Sequence, residues 1–164
     1  LLYPGTRREL HLLAVHLKSG CARAPLDARE RACASLRRQG PALRAWLDGQ
    51  ARAGHRYAVL GDFNRDLLAE TRAQRVESPG AASLWAYLGG SAGGTLINTA
   101  ASAAFRNCYA GQPYLGYIDY ILISGSLAPA LVNGSFERLT YAATDAWRLK
   151  LSDHCPVAIR LLLD

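Results

Sequence analysis

The chain has 164 residues, half of them apolar, and 19 Lys and Arg against 13 Asp and Glu give a formal net charge of +6. That size and apolar content suit one globular domain, and no apolar run approaches the ~18 residues that a membrane-spanning helix needs. The basic balance favours polyanionic partners such as nucleic acid or phosphorylated substrates, although Arg, Ala and Gly enrichment also fits GC-rich coding, with Lys18 and Lys150 the only lysines.

The sequence opens at Leu1-Leu2-Tyr3-Pro4 without Met or a signal-peptide pattern, as expected of a processed chain or an excised piece. Residues 9–17 (Glu-Leu-His-Leu-Leu-Ala-Val-His-Leu) read as a strand whose near-continuous apolar character predicts cover on both faces or a place in a sandwich core. His16 falls near its end, and Lys18 follows. After a loop over 20–26, Asp27 begins a helix, with Glu30 three residues on as in a capping box. Cys33, Leu36, Leu43 and Leu47 form its apolar stripe. Gly40-Pro41 should kink or break it, and Gly54 closes it.

Residues 57–60 (Tyr-Ala-Val-Leu) are the next strand, ended by Gly61. Asp62 and Asn64 follow at a spacing of two, so in an extended chain they point the same way. Such a pair suits a hard metal ion or a phosphate oxygen, and it equally suits an Asx turn. The strand, helix, strand order is that of a crossover unit, with antiparallel pairing left open. Residues 65–83 read as loop with a short helical piece, 83–88 as another turn of helix, 89–94 as a flexible Gly/Ser patch and 95–99 as a small strand. An irregular stretch, 100–116, leads into a clear strand at 117–124 (Tyr-Ile-Asp-Tyr-Ile-Leu-Ile-Ser), with Asp119 among large apolar neighbours. A weaker strand signal covers 132–141. Ser152-Asp153-His154 opens a last strand over 155–163.

Cys21, Cys33, Cys108 and Cys155 contain no CxxC pair, which argues against zinc. Cys155 reads as a buried free thiol. Cys21 and Cys33 are close enough in sequence to staple the loop to the helix. That pairing would place the protein in an oxidising compartment, secreted or periplasmic, and without it the cytoplasm is the alternative.

His16, Asp62, Asn64, Asp119, Asp153 and His154 all lie within or at the ends of apolar strands, where polar groups are costly unless paired or bound to metal. Each alone has an ordinary explanation: a satisfied core histidine, a turn cap, an Arg partner or an Asx turn. Their joint occurrence points to a site.

His16-Leu17-Lys18-Ser19, Gly61-Asp62-Phe63-Asn64, Ile118-Asp119-Tyr120-Ile121 and Ser152-Asp153-His154-Cys155-Pro156-Val157 match, in order, motifs of a known group. On these segments the chain resembles the endonuclease/exonuclease/phosphatase superfamily, which includes pancreatic deoxyribonuclease, abasic-site endonucleases, sphingomyelinases and inositol polyphosphate phosphatases. The resemblance runs from about residue 10 to the end and covers the C-terminal part of that group's domain. It implies an α/β fold, a four-layer αββα sandwich with its N-terminal part missing, here a single N-terminally incomplete domain over 1–164. The earlier strands that supply an Asn and a metal-binding Glu have no counterpart before His16, so one sheet should keep an open apolar face or edge.

The activity so implied is metal-dependent phosphodiester hydrolysis, foremost a nuclease acting on nucleic acid, most simply DNA, with magnesium or manganese as cofactor. His154 is the general base, as a side chain titrating near neutrality allows. By resemblance Asp119 orients His154, Asp62 orients the nucleophile or protonates the leaving group, Asn64 holds a phosphate oxygen, His16 stabilises phosphoryl charge and Asp153 binds the metal. Lys18 and Arg65 are weaker expectations for phosphate contacts. A phosphatase or sphingomyelinase-like phospholipase with the same site is one alternative. It would need an apolar membrane-docking loop or a dedicated head-group pocket; no exposed aromatic hairpin is evident, and no stable membrane association is expected. The other alternative is an inactive fragment that binds polyanions.

Overall fold

The structure, a computed structural model, describes residues 9–76, 83–89 and 95–163. It is a mixed α/β fold built on a four-stranded sheet in the order β1-β2-β4-β3, from β1 (Leu10–His16), β2 (Arg56–Asp62), β3 (Leu96–Asn98) and β4 (Asp119–Ser124). β1 runs parallel to β2 through the helical crossover α1 (Arg31–Arg52), while β4 is antiparallel to both β2 and β3. The Gly/Ser patch lies mostly outside the described residues.

Alternation along the strands separates two faces. Leu13, Val15, Tyr57, Val59, Tyr120 and Leu122 turn towards α1, α2 (Leu67–Val76) and α3 (Leu84–Gly89), where Leu36, Leu43, Leu47, Leu84 and Leu88 complete the main core. On the other face Leu10, Ala58, Ile123 and Leu127 form a smaller cluster closed by Leu131 and Ile159. The expected two-sided cover of β1 is therefore not found. Leu12 is 44% exposed and Ala14 and His16 are exposed, because β1 is an edge strand with a helical layer on one face only. Leu12 and Ala14 are exposed on the sheet face away from the helices.

The helix signals need two corrections. α1 starts at Arg31 rather than Asp27, and Glu30, at the N-cap in an extended conformation, makes no side-chain cap; the chain before it is a turn, with Ala28 N–H on Pro25 O at 3.0 Å. Nor does Gly40-Pro41 break it: Pro41 lies inside one continuous helix. Core burial of Leu36, Leu43 and Leu47 on either side of the proline outweighs the missing hydrogen bond. At Gly40 the helix packs against the Tyr87 ring of α3, which a Cβ there would meet at an ordinary contact distance of 3.4 Å.

The C-terminal apolar run is mostly irregular. β5 (Glu137–Arg138) pairs with β6 (Val157–Ala158), and a Leu131↔Leu161 bridge continues the association. A short α4 (Ala143–Arg148) precedes the Ser152-Asp153-His154 segment. The cysteines form two bridges, Cys21–Cys33 and Cys108–Cys155, and none is free. The loop-to-helix staple is present as expected. Cys155 is not a free thiol: the fold lays the irregular stretch around Cys108 on the segment after His154, across a separation of 47 residues.

Candidate active site

The site is a row across three strands. In the sheet register His16 faces Asp62 and Asp62 faces Asp119, so all three stand at the same end of β1, β2 and β4. Because side chains repeat every second residue, the three share the face that also carries Ala14, Leu60 and Ile121 one row below. The backbone continues past the strands, with Leu17 N–H on Asp62 O at 2.9 Å and Phe63 N–H on Ile118 O at 2.8 Å. Phe63 is fully buried and packs edge-on against Tyr120 at 6.0 Å, which fixes the turn that holds Asp62 and Asn64. Gly61 lets β1 and β2 close here. It has φ 128°, and a Cβ would collide with the Val15 carbonyl oxygen.

His154 enters from the loop before β6. Its Nδ1 lies 3.0 Å from both Asp119 oxygens, and its Nε2 stands 3.9 Å from Asp62 Oδ2. His16 Nε2 approaches the same oxygen at 3.4 Å from a largely exposed position. Burial raises the pKa of Asp119, opposed by its hydrogen bond and attraction to His154 and assisted by repulsion from Asp62. Burial disfavours the charged form of His154. The hydrogen bond to Asp119 and the charges of Asp119, Asp62 and Asp153 outweigh it, so the net pKa of His154 is raised.

Asn64 does not reach outward as an extended chain would require. It sits at φ 49°, its N–H donates to Asp62 Oδ1 at 2.7 Å, and its Nδ2 donates to Asp62 Oδ2 at 2.7 Å and Leu17 O at 2.9 Å. The Asx turn and the functional pair are thus the same structure, with Asn64 orienting Asp62. Asp62, Asp119 and His154 each offer a ligand atom, all within 4.8 Å of one another, a group able to hold a metal ion. Two carboxylates with one imidazole form a donor set that suits a hard divalent cation.

Two expected residues lie elsewhere. Asp153 is not among those three ligands; its Oδ2 accepts a 2.6 Å hydrogen bond from the Tyr114 hydroxyl, which lowers the pKa of Asp153 and pushes that of Tyr114 up to about 12. Arg65 is buried and does not face the site. Its Nε pairs with Glu70 at 2.5 Å, and its Nη1 donates to the Cys21 and Ala24 carbonyls. Its charge therefore ties the loop after β1 to the segment after Asn64, leaving no role as a phosphate contact. Lys18 stays exposed beside Ser19.

The sequence reading missed the residues that hold His154 from behind, Gln112 and Tyr114, which lie in the stretch read as irregular. The even number of cysteines was the available signal, since Cys108 brings that stretch to Cys155. No exposed aromatic hairpin was expected; on the helix α4, Trp147 is 76% exposed, with Leu149 exposed beyond it and Arg148 and Lys150 interleaved. No family model and no curated protein matches the chain.

Proposed function

We propose that the protein is a metal-dependent phosphodiester hydrolase of the endonuclease/exonuclease/phosphatase type, with nucleic acid as its substrate. The observation that carries this reading is the Asp119–His154–Asp62 alignment beside His16. One ring nitrogen of His154 is fixed by a carboxylate, and the other faces the place where a second carboxylate and a histidine converge. Under this reading the sheet is one half of a four-layer αββα sandwich, and the exposed Leu12 and Ala14 lie on the face a second sheet would cover.

In the mechanism, Asp119 holds Nδ1–H, so Nε2 is the basic nitrogen and accepts the proton of the attacking water. Asp62, held by Asn64, orients that water or returns a proton to the leaving oxygen. His16 stabilises charge on the phosphoryl oxygens. Magnesium or manganese, for which Asp62 and Asp119 are the candidate ligands, would supply Lewis-acid stabilisation of the phosphoryl group. The net charge of +6 supports a polyanionic substrate. The two disulfides support a secreted or periplasmic location, and no helix among the described residues is long and apolar enough to cross a membrane.

A second reading, a phospholipase acting on a phosphodiester head group, is favoured by Trp147 and Leu149, exposed a few residues before His154. Plasmid nicking with magnesium tests the first reading, with His154→Ala as control. Nicking that survives unchanged in the variant would sink the mechanism. Cleavage of sphingomyelin or inositol phosphates without nicking would transfer the reading to the second substrate class.

A further inference from the structure

The segment that carries His154 has almost no secondary structure of its own, since it runs from the end of α4 to the two-residue β6. What holds it is the stretch 107–114. Cys108 is bonded to Cys155, the residue after His154. Gln112, buried to 5% exposure, accepts from Cys108 N–H at 2.8 Å and donates through Nε2 to Asp153 O, the residue before His154, at 2.6 Å. Asn107 Nδ2 ties Gln112 O at 2.6 Å, and Tyr114 binds the Asp153 carboxylate. His154 is thus gripped on both flanks by one stretch of chain, covalently on one side and through a buried amide on the other.

We propose that stretch 107–114 is a positioning clamp for His154, and that its disulfide makes hydrolysis depend on an oxidised protein. This rests on the functional reading above. A dithiol opens the clamp by thiol–disulfide exchange: the Cys108–Cys155 bond breaks, both sulfurs become thiols, and the dithiol closes to its own disulfide, a transfer of two electrons and two protons. Gln112 and Tyr114, both acting on Asp153, would then be what remains of the clamp to hold a histidine whose Nδ1 must stay within hydrogen-bond reach of Asp119. A general base displaced by an ångström loses rate while substrate binding persists.

The test compares wild type, wild type treated with dithiothreitol, the double variant Cys108→Ser/Cys155→Ser, and Gln112→Ala with the disulfide intact. Plasmid nicking is measured with magnesium, and thermal melting reports folding. The expected result is a kcat about tenfold lower or worse in the double variant and in Gln112→Ala, with KM within about twofold, in proteins that still melt cooperatively. Dithiothreitol should bring wild type to the level of the double variant and leave the double variant unchanged. A folded double variant with full kcat overturns the inference, as does a dithiothreitol effect of equal size in both. If the double variant does not fold, Gln112→Ala decides by the same split of kcat from KM. If wild type turns over no phosphodiester, the functional reading fails and the clamp is judged separately. Reduction should then shift the His154 ring resonances and speed amide exchange at 152–156, and unchanged spectra overturn it.

Discussion

His154 keeps its Nδ1 3.0 Å from each oxygen of Asp119 while its Nε2 stands 3.9 Å from Asp62 Oδ2. The ring is therefore held by one carboxylate and aimed towards another. Replacing Asp119 by Asn keeps the shape but lets the ring settle in the wrong tautomer, a change that costs about 10⁴-fold in the analogous serine-protease arrangement. Asp119→Asn is expected to lower kcat by about 10³-fold or more, and His154→Ala by about 10²–10⁴-fold. The two act as a unit, so the double variant should be little worse than the poorer single one, as single-turnover nicking will measure.

The pH profile follows from the direction of the His154 shift. Burial opposes its charge, but Asp119, Asp62 and Asp153 together raise its pKa above the ordinary 6.5. A general base works unprotonated, so activity rises with pH through the raised value, and the midpoint of the acidic limb lies above 6.5. Asp119→Asn removes the largest raising influence and should move that midpoint down. Stability has the opposite slope. A folded pKa above the unfolded one stabilises fully below about 6.5 and is lost as pH rises through the folded value. Melting of the metal-free protein should fall slightly across that window, and His154→Gln should flatten the fall.

Gly61 and Gly54 both have positive φ, 128° and 69°, but only Gly61 lies against backbone, the carbonyl of Val15. Gly54→Ala has open space and should cost about 1 kcal/mol of left-handed strain. Gly61→Ala adds a collision between β1 and β2 beneath the site, and about 3 kcal/mol or failure to fold is expected. Chemical denaturation of the two variants side by side reads the difference, and equal losses would contradict the close approach.

Arg65 separates structure from substrate binding. Removing it leaves Glu70 buried without its partner, although Glu70 still accepts the N–H groups of Leu84 and Trp85 at the start of α3. Arg65→Met should cost about 3–5 kcal/mol in denaturant unfolding. It should leave the salt dependence of DNA affinity unchanged wherever the protein remains folded. A variant that stays fully stable but binds DNA weakly would restore Arg65 as a phosphate contact.

Lys18 is the exposed counterpart. Lys18→Ala should weaken DNA binding evenly across sequences and reduce the slope of log affinity against log salt by about one. Stability should not change, because the Nζ of Lys18 is held by nothing stronger than a 3.4 Å contact to Ser19.

What could be read from the chain alone depended on periodicity. The apolar runs of β1, β2 and β4 were visible, and with them His16, Asp62 and Asp119 as candidates, because each lies within or at the end of such a run; the row they form came only with the sheet register. The α1 stripe was visible for the same reason at helical spacing. Charge was not a guide to exposure: Arg65 follows Asn64 in a polar turn, and only the fold reveals that its partner, Glu70, lies five residues on in the core. A local breaker did not end the helix where tertiary burial overrode it, as at Pro41. The clamp was illegible because Gln112 and Tyr114 have no periodicity and act through a chain segment some forty residues away.

The matched register of His16, Asp62 and Asp119 makes the sheet a ruler for the chemistry. One residue inserted within residues 56–60 would rotate Asp62 to the helical side and bring its neighbour into the row. The same insertion at the exposed turn of Asn133 and Gly134 would be absorbed as slack. Length variation in this molecule is therefore silent in some segments and lethal in others. The boundary between them is set by hydrogen-bond pairing as much as by closeness to the candidate site.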